Sequence, residues 1–212
     1  MRNFTNTLVL IFALTITFSA SATSNKIYEG YVVTKAGEKI EGKIRMMSPA
    51  LNEVKVKFIG TDNKKRTFKS KELKSYSFEI SVWNATTKTH ETEMINYVNQ
   101  TVERSSIAFG PKEVLLQREA AGTVNLYNHY IEQNSNVNAP IAREQFVQKD
   151  NAELILINKK NYKKVLKLMT AEYPELQAKI GTRGYGVKHI AKILKVYNNW
   201  MIENSEETVA IN

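Results

Sequence analysis

Three histidines, His90, His129 and His189, are the side chains of this chain best suited to moving protons near neutral pH. They lie too far apart in sequence to form a local metal motif, and no His-Glu-x-x-His run occurs. His129 sits in Tyr127-Asn128-His129-Tyr130, where strand alternation puts it on the side of Tyr127 and Ile131. That placement predicts a core-edge or cross-strand residue ahead of a general base. His189 borders an apolar stripe beside Trp200 and is expected to pack between helices, whereas His90 falls in a polar, Thr-rich stretch read as a solvated loop.

Nucleophiles are scarcer still. Cysteine is absent, which removes thiol catalysis, Cys-ligated zinc, disulfides and lipidation at an N-terminal cysteine. There is no Gly-x-Ser-x-Gly elbow and no Gly-x-x-x-x-Gly-Lys phosphate loop. The run Gly181-Thr182-Arg183-Gly184-Tyr185-Gly186 is dense in glycine, but it joins two helical stretches instead of following a strand, so a helix connection is expected. The 21 acidic residues leave paired carboxylates open without pointing to any pair. The sequence therefore assigns no catalytic residue, no metal and no cofactor.

Charge gives the one remaining constellation. The net charge of +9 is concentrated late: residues 158–203 hold ten Lys or Arg against three Asp or Glu. Lys159, Lys160, Lys163, Lys164 and Lys167 form a diffuse positive face without arginine, a candidate contact for anionic lipid or polysaccharide. Nucleic acid is disfavoured as a partner, since no basic strand face is interleaved with aromatics.

The elements that must carry these residues fall into two regions. From Ile27 to Ile157 apolar residues alternate with polar ones, as in half-buried strands. Turns are expected at Lys35-Ala36-Gly37-Glu38, Thr61-Asp62-Asn63-Lys64, Ala120-Ala121-Gly122-Thr123 and Lys149-Asp150-Asn151-Ala152. A single helical turn is expected near Ser70, a loop over Trp83 to Glu93, and an exposed connection over Gln133 to Pro140. Leu154 to Ile157 suits a buried strand. At Asn158 the period turns helical, with stripes Tyr162, Val165, Leu166 and Met169, then Leu176 and Ile180 behind Pro174, then Ile190, Ile193, Leu194, Tyr197 and Met201.

The N-terminus says where the chain works. Arg2, an apolar core from Leu8 to Phe18 and Ala20-Ser21-Ala22 read as a secretory signal peptide over residues 1–22, cleaved between Ala22 and Thr23. No later apolar run reaches spanning length, so the processed chain is expected to be secreted or periplasmic without a transmembrane segment.

Gly30-Tyr31-Val32-Val33-Thr34, with Gly37-Glu38, Ile40, Gly42 and Ile44, resembles the opening hairpin of a family of uncharacterised exported proteins of Bacteroidota bacteria. Tyr162, Leu166, Tyr173-Pro174-Glu175-Leu176, Ile180, Tyr185-Gly186, Ile190, Ile193 and Tyr197-Asn198 are similar to that family's closing helices. Members often carry Cys before the proline; Tyr173 stands there in this chain, so any role tied to that Cys is missing. The resemblance implies a bacterial envelope protein with a β-rich body and a helical end, and implies no reaction.

The expected organisation is one α+β domain over residues 23–203, with an antiparallel β-rich body (sheet, sandwich or partly open barrel) at 27–157, about three helices at 158–203 and an acidic tail at 204–212. The function it favours is a non-enzymatic module binding an envelope protein or a small ligand. The alternative is a periplasmic or surface hydrolase with His129 as base.

Overall fold

The computed structural model of the protein describes residues 26–103, 112–131 and 141–210. Among them ten strands form one antiparallel sheet: β1 (Ile27–Thr34), β2 (Lys39–Arg45), β3 (Lys55–Gly60), β4 (Lys65–Lys69), β5 (Leu73–Asn84), β6 (Thr89–Val102), β7 (Lys112–Ala120), β8 (Val124–Ile131), β9 (Ala142–Lys149) and β10 (Ile155–Ile157). The order across it is β10-β9-β8-β7-β6-β5-β1-β2-β3-β4. Helix α1 (Pro49–Val54) interrupts the strands, and α2 (Tyr162–Met169), α3 (Pro174–Lys179) and α4 (Ile190–Ala210) follow them. The α+β class and the β-to-helix change near residue 158 are as the periodicity predicts.

The connection from β4 to β5 sets the shape of the first half. Those two strands are separated in the sheet by β3, β2 and β1, a distance of roughly 19 Å if the sheet were flat. The chain covers it with one 3-10 turn, Ser70–Glu72, whose reach between Lys69 and Leu73 is at most about 14 Å. The β1–β4 end must therefore curl. It closes over a core of Val32, Ile44, Val56, Phe58, Leu73, Tyr76, Phe78, Tyr97 and Leu115. Gly30 opposite Gly42 makes that curl sterically possible, because a methyl at Gly30 would overlap the Ser77 carbonyl oxygen and one at Gly42 the Ile59 carbonyl. Gly37 takes a φ of +93° in the expected β1–β2 turn, a conformation that suits glycine.

Helices α2 to α4 cover the other half on one face. Leu126 and Val147, directly paired across β8 and β9, meet Leu166, Leu176, Ile193, Leu194 and Tyr197 in a second core. Tyr127 and Phe146, the next pair along, point to the opposite face and join Val102, Val114 and Leu116. Asn198 of α4 clasps the β7–β8 turn: its Oδ1 accepts from the Val124 N–H at 2.9 Å, and its Nδ2 donates to the carbonyls of Ala121 and Val124 at 3.0 and 2.8 Å.

Three expectations need correction. Residues 83–93 are not a loop: β5 runs to Asn84 and β6 begins at Thr89, leaving only a four-residue turn, because Trp and Thr favour extended backbone even when both faces are wet. The 154–157 run forms an edge strand with Leu156 exposed, not a fully buried one. Residues 49–54 form α1 inside the 27–157 stretch, where strands and one helical turn near Ser70 are expected. The Gln133 to Pro140 connection and the Ala22/Thr23 cleavage site lie outside the described residues.

Candidate functional site

Ser48 starts α1 by accepting the Leu51 N–H on its side chain, and Pro49 fits the first helical position, where a missing N–H costs no hydrogen bond. A six-residue helix has no stability of its own in water, so its contacts with β7 and β8 must hold it. Those strands separate where it docks. The β7–β8 ladder ends at Gln117 opposite Asn128, while β8 continues through His129, Tyr130 and Ile131 paired only with β9.

Glu53 fills the gap left by that separation. Its Oε1 accepts the Tyr130 backbone N–H at 2.7 Å, supplying an acceptor to a strand that has left its neighbour. Its Oε2 lies 2.5 Å from His129 Nδ1, so with the carboxylate as acceptor the imidazole carries its proton on Nδ1. Both groups are out of water: Glu53 is 1% exposed and His129 6%. Asn52 beside it braces the helix, exchanging hydrogen bonds with the Met47 backbone, and its carbonyl accepts from the Tyr76 hydroxyl at 3.3 Å. Tyr76 stacks on Tyr97 with ring centres 4.6 Å apart. Burial, the neighbouring phenol and Glu53 push the Tyr76 hydroxyl far above its ordinary pKa.

Beside this pair lies a cavity of about 230 Å³. Ala50, Leu51 and Val54 of α1 line it together with Val102, Val114 and Ile131, and Glu53, Lys112, His129 and Tyr130 add polar groups to the wall. The Tyr130 hydroxyl is held by Gln117 Oε1 at 2.7 Å.

The structure thus takes His129 out of the simple cross-strand role and gives it a carboxylate partner at a cavity wall. The other two histidines depart from expectation. His90 lies on β6 opposite Trp83, with its Nδ1 3.1 Å from Ser81 Oγ, rather than in a loop. His189 is exposed in the 3-10 turn before α4 instead of packing between helices. The lysine candidates remain a surface feature: Lys159 and Lys160 precede α2, Lys163, Lys164 and Lys167 lie on it, and all five are exposed. Gly181 to Gly186 forms the expected helix connection, with Gly181 N–H bonded to the Tyr185 carbonyl.

No protein-family model, curated protein or solved structure matches this chain. Among the described residues no cluster of three His, Asp or Glu side chains is placed to hold a metal, and no helix is long and apolar enough to cross a membrane. Glu53 is the site residue that periodicity overlooked. The sequence signal for it was Ser48-Pro49, a helix start of capping serine and first-turn proline.

Proposed function

We propose that the chain is an exported, non-enzymatic binding module of the bacterial envelope, and that the cavity between α1, β7 and β8 takes a small ligand with an apolar body and an anionic group. The observation that carries the reading is the double engagement of Glu53, which locks His129 in one orientation on a mostly apolar wall. Apolar walls with a few fixed polar groups are the usual make-up of small-ligand sites. Lys112 adds a positive charge on the same wall. Export rests on the leader-like N-terminus, and the lysine face around α2 would add salt-sensitive attraction to anionic surfaces.

A naphthalene sulfonate dye, apolar and anionic, is the test probe. Saturable one-to-one binding that is lost in Ala50→Trp, a variant that fills the cavity from α1, is the expected result. Absence of saturable binding, or binding unaffected by Ala50→Trp, would refute the site. The hydrolase reading is favoured by one observation, the carboxylate-held imidazole at a cavity wall, an arrangement used to orient general bases. Ester hydrolysis by the purified protein that disappears in His129→Gln would move the assignment to that reading.

A further inference from the structure

The β5–β6 hairpin outruns the sheet on both sides. β1 pairs with β5 only as far as Gly30 opposite Phe78, and β7 pairs with β6 only from Asn96 onward. Between them, Glu79–Asn84 and Thr89–Met94 pair with each other alone among the described residues. The result is a two-stranded arm with open edges. Along it Val82 and Met94 are exposed, and Trp83, next to the turn, is 54% exposed. Ribbons of this kind are marginal alone in water, and an unpaired apolar edge is a template for another strand.

We propose that the arm pairs with the arm of a second copy of this chain, β5 edge to β5 edge, about a two-fold axis through Ser81. Directly opposed residues in a sheet share a face, so a two-fold perpendicular to a continuous sheet passes through a residue. Through Ser81 it sets Ile80 opposite Val82 of the partner subunit and Glu79 opposite Trp83 of the partner subunit, each contact made twice. The first match is apolar, and the second sets a carboxylate beside an indole with no like charge opposed. Pairing along the β6 edge about Thr92 would instead oppose Glu91 to Glu93 of the partner subunit twice, which like-charge repulsion disfavours.

A groove waits where the tryptophan arrives. Glu79 and Met94 line a cleft of about 440 Å³ at the foot of the arm, floored by the backbone of Gly30 and Gly42 and flanked by Tyr31 and Lys39. Glu79 and Trp83 lie on one face of β5, so Trp83 of the partner subunit, opposite Glu79, is delivered over this cleft. Lys39 already stands 4.1 Å above the Tyr31 ring, and an incoming indole would extend that cation–aromatic stack. The two-fold makes each arm reach the other copy's cleft, so the contact is isologous and the assembly closes at two copies.

Analytical ultracentrifugation of the purified protein reads the association directly. A dimer is expected, and Trp83→Ala should weaken it by at least about 30-fold per anchor, with unchanged circular dichroism because the side chain is exposed. The absence of native cysteine permits a second test. Ser81→Cys should form a disulfide-linked dimer under mild oxidation, while Lys88→Cys, in the hairpin turn, should not. A monomer at the highest soluble concentration, a dimer indifferent to Trp83→Ala, or equal cross-linking of the two cysteine variants would each overturn the proposal. So would a monomer whose Trp83 fluorescence responds to envelope polysaccharide, which would make the arm a glycan platform.

Discussion

Replacing Glu53 with alanine should unseat α1 from the gap between β7 and β8. The carboxylate accepts from the Tyr130 N–H and the His129 Nδ1 in a site almost closed to water. Hydrogen bonds to a charged acceptor contribute about 1.5–3 kcal/mol each, and removing one partner of a buried pair typically costs about 3–5 kcal/mol in all. For a chain of this size that corresponds to a fall in melting temperature of about 6–20 °C. Glu53→Gln is the informative companion. Its amide oxygen can keep the Tyr130 N–H, and its NH2 can donate to His129 if the imidazole proton moves to Nε2, so a cost of only about 1–2 kcal/mol is expected. Thermal melting gives the stabilities, and the nitrogen chemical shifts of the His129 ring report the tautomer. If Glu53→Ala melts within about 1 kcal/mol of the parent, Glu53 does not bridge the separated strands and the account of the site fails.

Three further outcomes are expected. Leu194→Lys places a charge where α4 meets the sheet, at a fully buried position, and should cost several kcal/mol; an unchanged melting midpoint would mean that α4 does not close the core. The Lys149–Glu172 pair beneath Tyr197 gives a small pH dependence. Its hydrogen bond to Lys149 holds the Glu172 carboxyl below its usual pKa, so that stabilisation is present above the ordinary carboxylate range and is lost as pH falls through the lowered value. For Lys149, burial is the largest single influence and would lower the pKa, but the hydrogen bonds and charges of Glu172 and Tyr197 together outweigh it and the net shift is upward. Its contribution is lost as pH rises through the raised value. Because Glu172 is half-exposed, the Glu172→Gln variant should differ from the parent by less than about 1 kcal/mol at neutral pH, read from melts across pH. Changing Lys160, Lys163, Lys164 and Lys167 to Gln should leave the melt unaltered and weaken binding to anionic vesicles mainly at low salt; vesicle binding by the parent that persists at high salt would point to a defined anion pocket instead.

The parts of this fold that were readable in the sequence are those where one face is buried along a whole element. Ile193, Leu194 and Tyr197 repeat at helical spacing, and Ile40, Gly42 and Ile44 alternate, so period alone reveals α4 and β2. The outer part of the arm, residues 83–93, was misread because both of its faces meet solvent, which erases the alternation on which strand recognition depends. The site was half legible for a different reason. His129 could be placed on its strand and on its side of the sheet, but its partner comes from a helix one turn and a half long, 76 residues earlier. That meeting depends on β7 and β8 separating beyond Asn128, a fact of strand geometry that residue spacing does not encode.

Strand β1 has a consequence for how the molecule comes apart. It is the seam of the sheet, with β2 on one side from Ile27 to Val33 and β5 on the other from Gly30 to Thr34. Among the described residues the unit β2–β4 has no other strand ladder to the rest, so its backbone pairing with the remaining strands runs through the eight residues of β1, and only α1 and side-chain packing tie it to β7 and β8. Cutting the chain after Thr34 would leave β1 held between β2 and β5 by its two ladders and by packing, with no covalent link to either. In hydrogen exchange, the amides of β2 to β4 should therefore open together with those of β1, as one cooperative unit, while β7 to β9 under the helices outlast them.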